Sequence, residues 1–176
     1  MEESKDSKDK KYDIFRDSPL RYLGYANEIG ESFRYQFPKF VAPSYVVAFG
    51  YCFADAATSG YDNYQTGIQS GSTTAKVDSL VATADTLIWQ SLASVMIPGA
   101  TINMVVKASG FAVLRSPVTF PVAVAKWIPT VTGLASIPGI ITPIDHGVDF
   151  FMNNTFRKIQ WPGASPVEQS KGDDTP

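Results

Sequence analysis

The sequence predicts an all-α polytopic membrane protein with about three transmembrane helices, an N-terminal amphipathic helix and disordered tails. Three observations predict it. Asp85 and Lys107 bracket about 21 residues without charge, enough to cross a bilayer core as a helix. Two shorter apolar stretches, Phe40 to Ala57 and Trp127 to Ile144, flank that run. Charged residues are 18% of the chain and gather near its two ends, which leaves the middle apolar.

The opening residues, 1 to about 13, are charged and polar, and they are expected to be a disordered tail. They hold no apolar h-region, so no secretory signal is expected there. A single membrane domain is expected over 14–162, followed by a second disordered tail over 163–176.

Ser18 and Pro19 suit an N-cap and a first helical position, and Pro38 ends the pattern, so a helix is expected over 18–37. Tyr22, Ala26, Ile29 and Phe33 form its apolar stripe, with Arg21, Glu28, Glu31 and Arg34 largely off it. Such a helix can lie in the headgroup plane or pack on its own protein's surface, and the sequence leaves both open.

The first span is expected over about 40–57. Gly50 and Ala54 lie four apart and would let a helix approach closely. Asp55, late in the span, is either near the interface or turned to a partner in the bundle. Cys52 is the single cysteine and reads as a small buried hydrophobe. Thr58 to Thr74, rich in Gly, Ser and Thr, reads as a flexible connector. Lys76 to Ala84 reads as a helical lead-in.

The second span, about 86–106, opens beside Asp85 with Trp89 at an aromatic-belt position. Gln90 and Asn103 are costly in hydrocarbon unless they hydrogen-bond across helices. Pro98-Gly99 predicts a kink whose freed carbonyl a neighbour satisfies. Lys107 to Lys126 is broken by Arg115, Pro117 and Pro121, and a helix or re-entrant piece near the interface is expected. The third span, about 127–144, carries Pro129, Pro138 and Pro143 and suits a bent helix inside a bundle. Ala135 and Gly139 repeat the small-residue pair.

Asp145 and Asp149 can share a helix face. Asp145 and His146 are adjacent and point in different directions on a helix, and the chain has one histidine, so no metal site is expected. No phosphate-binding, zinc-hydrolase, nucleophile-elbow or dinucleotide pattern is present, so no enzyme, no cofactor and no catalytic residue is expected. A net charge of −2 implies no nucleic-acid partner. Arg21, Arg34, Lys39, Lys107, Arg115 and Lys126 outnumber Lys76, Arg157 and Lys158 across the membrane. The positive-inside rule therefore puts the N-terminus on the inner side.

Three blocks carry a family resemblance: FRDSPLRYLGYANEIGESFR from Phe15 to Arg34, DTLIWQSLASVMIPGATIN from Asp85 to Asn103, and IPGIITPIDHGVDFFMNNTFRKIQWP from Ile137 to Pro162. In this order and spacing, and with FADA from Phe53 to Ala56, the chain resembles the mitochondrial fission process protein 1 family. The resemblance implies a multi-pass protein of the mitochondrial inner membrane that promotes mitochondrial division and supports inner-membrane integrity and bioenergetics. His146 stands where the family would usually carry arginine. The resemblance supplies no catalytic residue and no cofactor.

Two modes of action follow. In the first, Tyr22, Tyr25, Asn27 and Glu28 face a partner or lipid headgroups, while Asp85, Gln90 and Asn103 hold the bundle together. Trp89, Pro98, Asp145 and Asp149 complete the candidate packing and contact residues. Membrane lipid, other inner-membrane proteins and a second copy of the chain are its expected partners. In the second, Asp85, Asn103, Lys107, Asp145 and Asp149 line an oligomeric transporter or leak pathway for ions or small solutes.

Overall fold

The computed structural model describes residues 23–164, and the described part is helical. A short helix α1 (Ala26–Ser32) precedes three long ones. Helix α2 is Val41–Gln69, α3 is Ala75–Arg115 and α4 is Val122–Asn154. All three long elements are long and apolar enough to cross a membrane. The expected spans, 40–57, 86–106 and 127–144, lie inside them.

Each helix outruns its span. The 41 residues of α3 extend about 60 Å, twice a bilayer core. The stretch Thr58 to Thr74 is therefore not a flexible connector, because α2 stays helical to Gln69. Its polar side chains keep it so by bonding back one turn. Thr58 Oγ1 donates to Ala54 O at 2.9 Å, Asn63 Nδ2 to Ser59 O at 2.9 Å, and Thr66 Oγ1 to Asp62 O at 2.8 Å. Across the hairpin, Ser79 Oγ donates to Gly60 O at 2.7 Å and Thr86 Oγ1 to Ser59 Oγ at 3.0 Å. A side chain at Gly60 would strike Thr83, so glycine sets this close approach.

Helix α2 ends in a Schellman motif. Gly71 is left-handed at φ 69°, its N–H donates to Ile68 O at 3.0 Å, and Ser72 N–H donates to Gly67 O at 2.9 Å. Thr74 then opens α3, its Oγ1 donating to Asp78 Oδ2 at 2.6 Å.

Helix α3 is α-helical over Ala75–Gln90 and Ile97–Arg115, with a π-helical segment, Ser91–Met96, between. Ile97 N–H reaches back five residues to Leu92 O. The irregularity expected at Pro98-Gly99 thus takes the form of a widened turn just before the proline, which has no N–H to give. Of the two forms expected over 107–126, a helix or a re-entrant piece, the described residues show helix as far as Arg115. Helix α3 runs on to Arg115, and a short link with Pro117 and Pro121 turns the chain into α4. Helix α4 stays helical through Pro129, Pro138 and Pro143 and ends in a short 3-10 turn, Phe156–Lys158.

The apolar core is small. Ala48, Tyr51 and Cys52 of α2 meet Val95 at the π segment, and Ala93 of α3 meets Val148 and Met152 of α4. Cys52 is fully buried, as expected of a small hydrophobe. Large apolar side chains such as Val46, Met104 and Phe150 point outward, as lipid-facing residues do. A Cβ at Gly50 or Gly139, two of the expected close-approach positions, would meet nothing within 4 Å among the described residues.

Candidate functional site

Asp85, Gln90 and Asn103 lie in two polar clusters, one on each side of the π segment. Helix α1 builds the inner one. It packs against α2, α3 and α4, with Asn27, Glu28, Gly30, Glu31 and Ser32 buried. Ile29 of the apolar stripe is 46% exposed, so the stripe faces outward, opposite to an amphipathic helix resting on a soluble surface. Tyr22 lies outside the described residues, as do Ser18, Pro19 and Arg21. The expected helix over 18–37 is shorter in the described part, because the chain leaves helical geometry at Phe33. Asn27 and Glu28, expected to face a partner or headgroups, instead turn into the bundle.

Asn27 Nδ2 donates to Val95 O at 3.0 Å, inside the widened turn of α3. This is the neighbour that the proline-containing span requires. Gly99 leaves the room, since a Cβ there would strike Tyr45 and Asn27. Val95 lies roughly midway along the charge-free run between Asp85 and Lys107, so α1 packs beside the middle of that run.

Glu31 is the hub of this cluster. Its carboxylate accepts from Arg34 Nε and Nη2 at 2.7 Å each, from Asn103 Nδ2 at 2.8 Å and from Tyr45 Oη at 3.0 Å. Burial raises its pKa, but the donors outweigh burial and hold it below the usual value. Arg34 is raised in turn, chiefly by its hydrogen bonds to Glu31. Glu28, one turn earlier, is the opposite case. It is fully buried and neither carboxylate oxygen has a hydrogen-bond partner among the described residues. Burial pushes its pKa up to about 8. Asn27 Oδ1 and Thr130 Oγ1 are likewise buried without partners.

The second cluster surrounds a cavity of about 580 Å³ whose lining includes Tyr25, Tyr51, Asp85, Trp89, Gln90, Pro98, Asp145, Asp149 and Arg157. Arg157 ties it together. Its Nε and Nη2 donate to the two Asp85 carboxylate oxygens at 2.8 Å each, and Nη1 reaches Asp149 at 3.2 Å. Trp89 Nε1 also donates to Asp149, at 2.9 Å. Deeper, Gln90 Nε2 donates to the buried Asp55 carboxylate, and Ser94 Oγ donates to Gln90 Oε1 at 2.7 Å. Asp55 therefore faces the bundle rather than the interface. Asp145 and Asp149 do share the cavity side of α4.

Several members of these clusters, Glu31, Arg157, Tyr45 and Ser94 among them, escaped sequence reasoning. Glu31 read as a surface charge on the far side of an apolar stripe. Arg157 was counted only as a flank charge. A signal existed for Arg157: Asp85 and Asp149 bound apolar spans, and acids there call for a cation.

Apolar outside and polar within, the three long helices with α1 among them make a small helical membrane protein whose buried side chains join helix to helix. The chain belongs to the mitochondrial 18 kDa protein (MTP18) family, whose profile matches residues 13–152. It is 48% identical to mitochondrial fission process protein 1 of Caenorhabditis elegans, over 85% of this chain and 89% of that one. For the Homo sapiens protein of the same name the identity is 47%, over 84% and 87%. For that of Danio rerio it is 45%, over 90% and 95%. No solved structure matches the chain.

Proposed function

We propose that this chain is a multi-pass protein of the mitochondrial inner membrane that promotes division of the organelle. It supports inner-membrane integrity and bioenergetics without catalysing a reaction, through helix packing and contacts with other inner-membrane proteins. The relatives' shared name supports the role in fission. One observation carries the mode of action: α1 is held against the charge-free run of α3 by Asn27, Glu31 and Asn103, so that polar side chains fix the arrangement of three apolar helices. Such bonds cost little in place and more when broken, because the orphaned group stays buried.

The test is Asn103→Leu in cells that lack the endogenous copy. The variant is expected to insert normally, resisting carbonate extraction, and to lose most of its co-purifying membrane partners. Mitochondria should then form longer, undivided networks. Unchanged assembly and unchanged mitochondrial shape in a normally inserted variant would overturn the reading.

A further inference from the structure

Beside the inner cluster an open groove of about 470 Å³ runs between α1 and the start of α2. Its walls include Ile29, Phe33, Phe37, Phe40, Pro43 and Val47. Its one wall hydroxyl, Ser44 Oγ, donates at 2.7 Å to Val41 O within its own helix. A peptide or a partner helix with polar atoms gains no side-chain bond from such a wall, whereas a hydrocarbon chain loses nothing there.

The groove has a direction. Phe40 lies where the apolar run of α2 begins, and Val47 about 10 Å further along it, seven residues on. An aromatic ladder marks the Phe40 end. Trp127 meets Phe33 edge-on at 6.3 Å, Phe33 meets Phe37 at 6.2 Å, and Phe37 meets Phe40 at 6.1 Å. Aromatic rings gather at the headgroup level of bilayers.

Charge gathers there too. Lys39 lies between the groove residues Phe37 and Phe40 in sequence, and Gln36 Nε2 donates to Lys126 O at 2.6 Å, bringing the start of α4 beside this segment. Both lysines are exposed, and neither is held by a carboxylate among the described residues. The nearest acid in sequence to Lys39, Glu31, is engaged by Arg34.

We propose that this groove binds one anionic phospholipid, with an acyl chain between Ile29, Phe33, Phe40 and Val47 and the headgroup phosphate between Lys39 and Lys126. The site rests on the reading that the three long helices lie in a membrane. A lipid held there would cover the exposed apolar side of α1 and so brace the element that carries the inner cluster. Basic residues at membrane depth boundaries recognise anionic headgroups, each contributing about fivefold in affinity.

The test uses the full chain in vesicles of phosphatidylcholine and phosphatidylglycerol, released in mild detergent and weighed by native mass spectrometry. Flotation with the vesicles is scored first, and a chain that fails to float refutes the membrane reading itself. A floating wild type is expected to keep one phosphatidylglycerol in preference to phosphatidylcholine. Lys39→Gln and Lys126→Gln should each lower that preference about fivefold. Val47→Trp, which fills the inner end, should lose the bound lipid while its helical circular dichroism is unchanged. Equal retention of the two lipids by the wild type overturns the proposal. So does a preference that survives the lysine changes, a lipid that survives Val47→Trp, or a second copy of the chain in place of the lipid.

Discussion

Glu28 and Glu31 stand one turn apart on α1 and have opposite electrostatic fates. The difference comes from their partners, since both are buried. The sign of each effect on stability follows from the direction of its shift. Glu28, with its folded pKa near 8 against an ordinary 4.5, favours the folded state below about pH 4.5, and that contribution is lost as pH rises through 8. Glu31 is lowered, so its contribution is present above its ordinary 4.5 and is lost as pH falls through its folded value. Glu28→Gln is therefore expected to unfold at a higher temperature than wild type at pH 9 and at the same temperature below pH 4.5. Thermal unfolding in detergent across that range measures it, and parallel profiles for the two proteins would refute the buried-carboxyl account. Neither fate was legible in the sequence. Glu28 and Glu31 look alike on a helical wheel, and the donors that separate them come from Tyr45 and Asn103, on other helices.

At the scale of elements, the polar ends of α2 and α3 show where sequence pattern misleads. Residues 58–69 carry glycine, serine and threonine, which read as a loop, yet they are helical. Packing overrides propensity here, as it often does. The hydroxyls bond back along α2, and glycine lets α3 come close. Two of the three glycines of α2 therefore differ in what they meet. A Cβ at Gly60 would overlap Thr83, while one at Gly50 meets nothing. Gly60→Val should lower stability by about 1–3 kcal/mol through overpacking, and Gly50→Val should leave it unchanged or slightly raised. Chemical denaturation of the purified proteins compares them, and equal stabilities would show that the hairpin is not closely packed at Gly60. The spans themselves were legible, because charge-free length is a direct physical requirement of hydrocarbon. The helix ends were not, because they are set by contacts outside the lipid.

For the whole molecule, three crossings by the three long helices would put Ser32 and Thr155, which flank the bundle's helices, toward opposite sides, and the proposed topology carries the two tails with them. The ends of α3 and α4 nearest α1 carry Lys107, Arg115 and Lys126, and the opposite end carries the α2–α3 turn with Arg157 and Lys158. By the positive-inside rule the excess of cations near α1 is expected to face the inner side. In mitoplasts a tag at the N-terminus should be protected from protease, while a tag at the C-terminus should be cut. Both cut, or both protected, would require an even number of crossings. The family and the number of apolar helices could be read from the sequence. The two polar clusters could be read only as a list of residues, since Asp85 and Arg157 meet across 72 positions of chain.

The inward-facing polar side of α1 also bears on how the protein is made. Its place lies among three helices that all follow it in the chain, including α4. Alone in lipid, Asn27, Glu28 and Glu31 would have no partners and would be expelled toward water. Because α4 forms part of its seat, α1 can complete its contacts only once α4 is in place, like a bolt that needs the last plate before it can slide home. A chain cut short before α4 would leave that bolt drawn, with two apolar hairpin arms in the membrane and an acidic, polar segment at its surface.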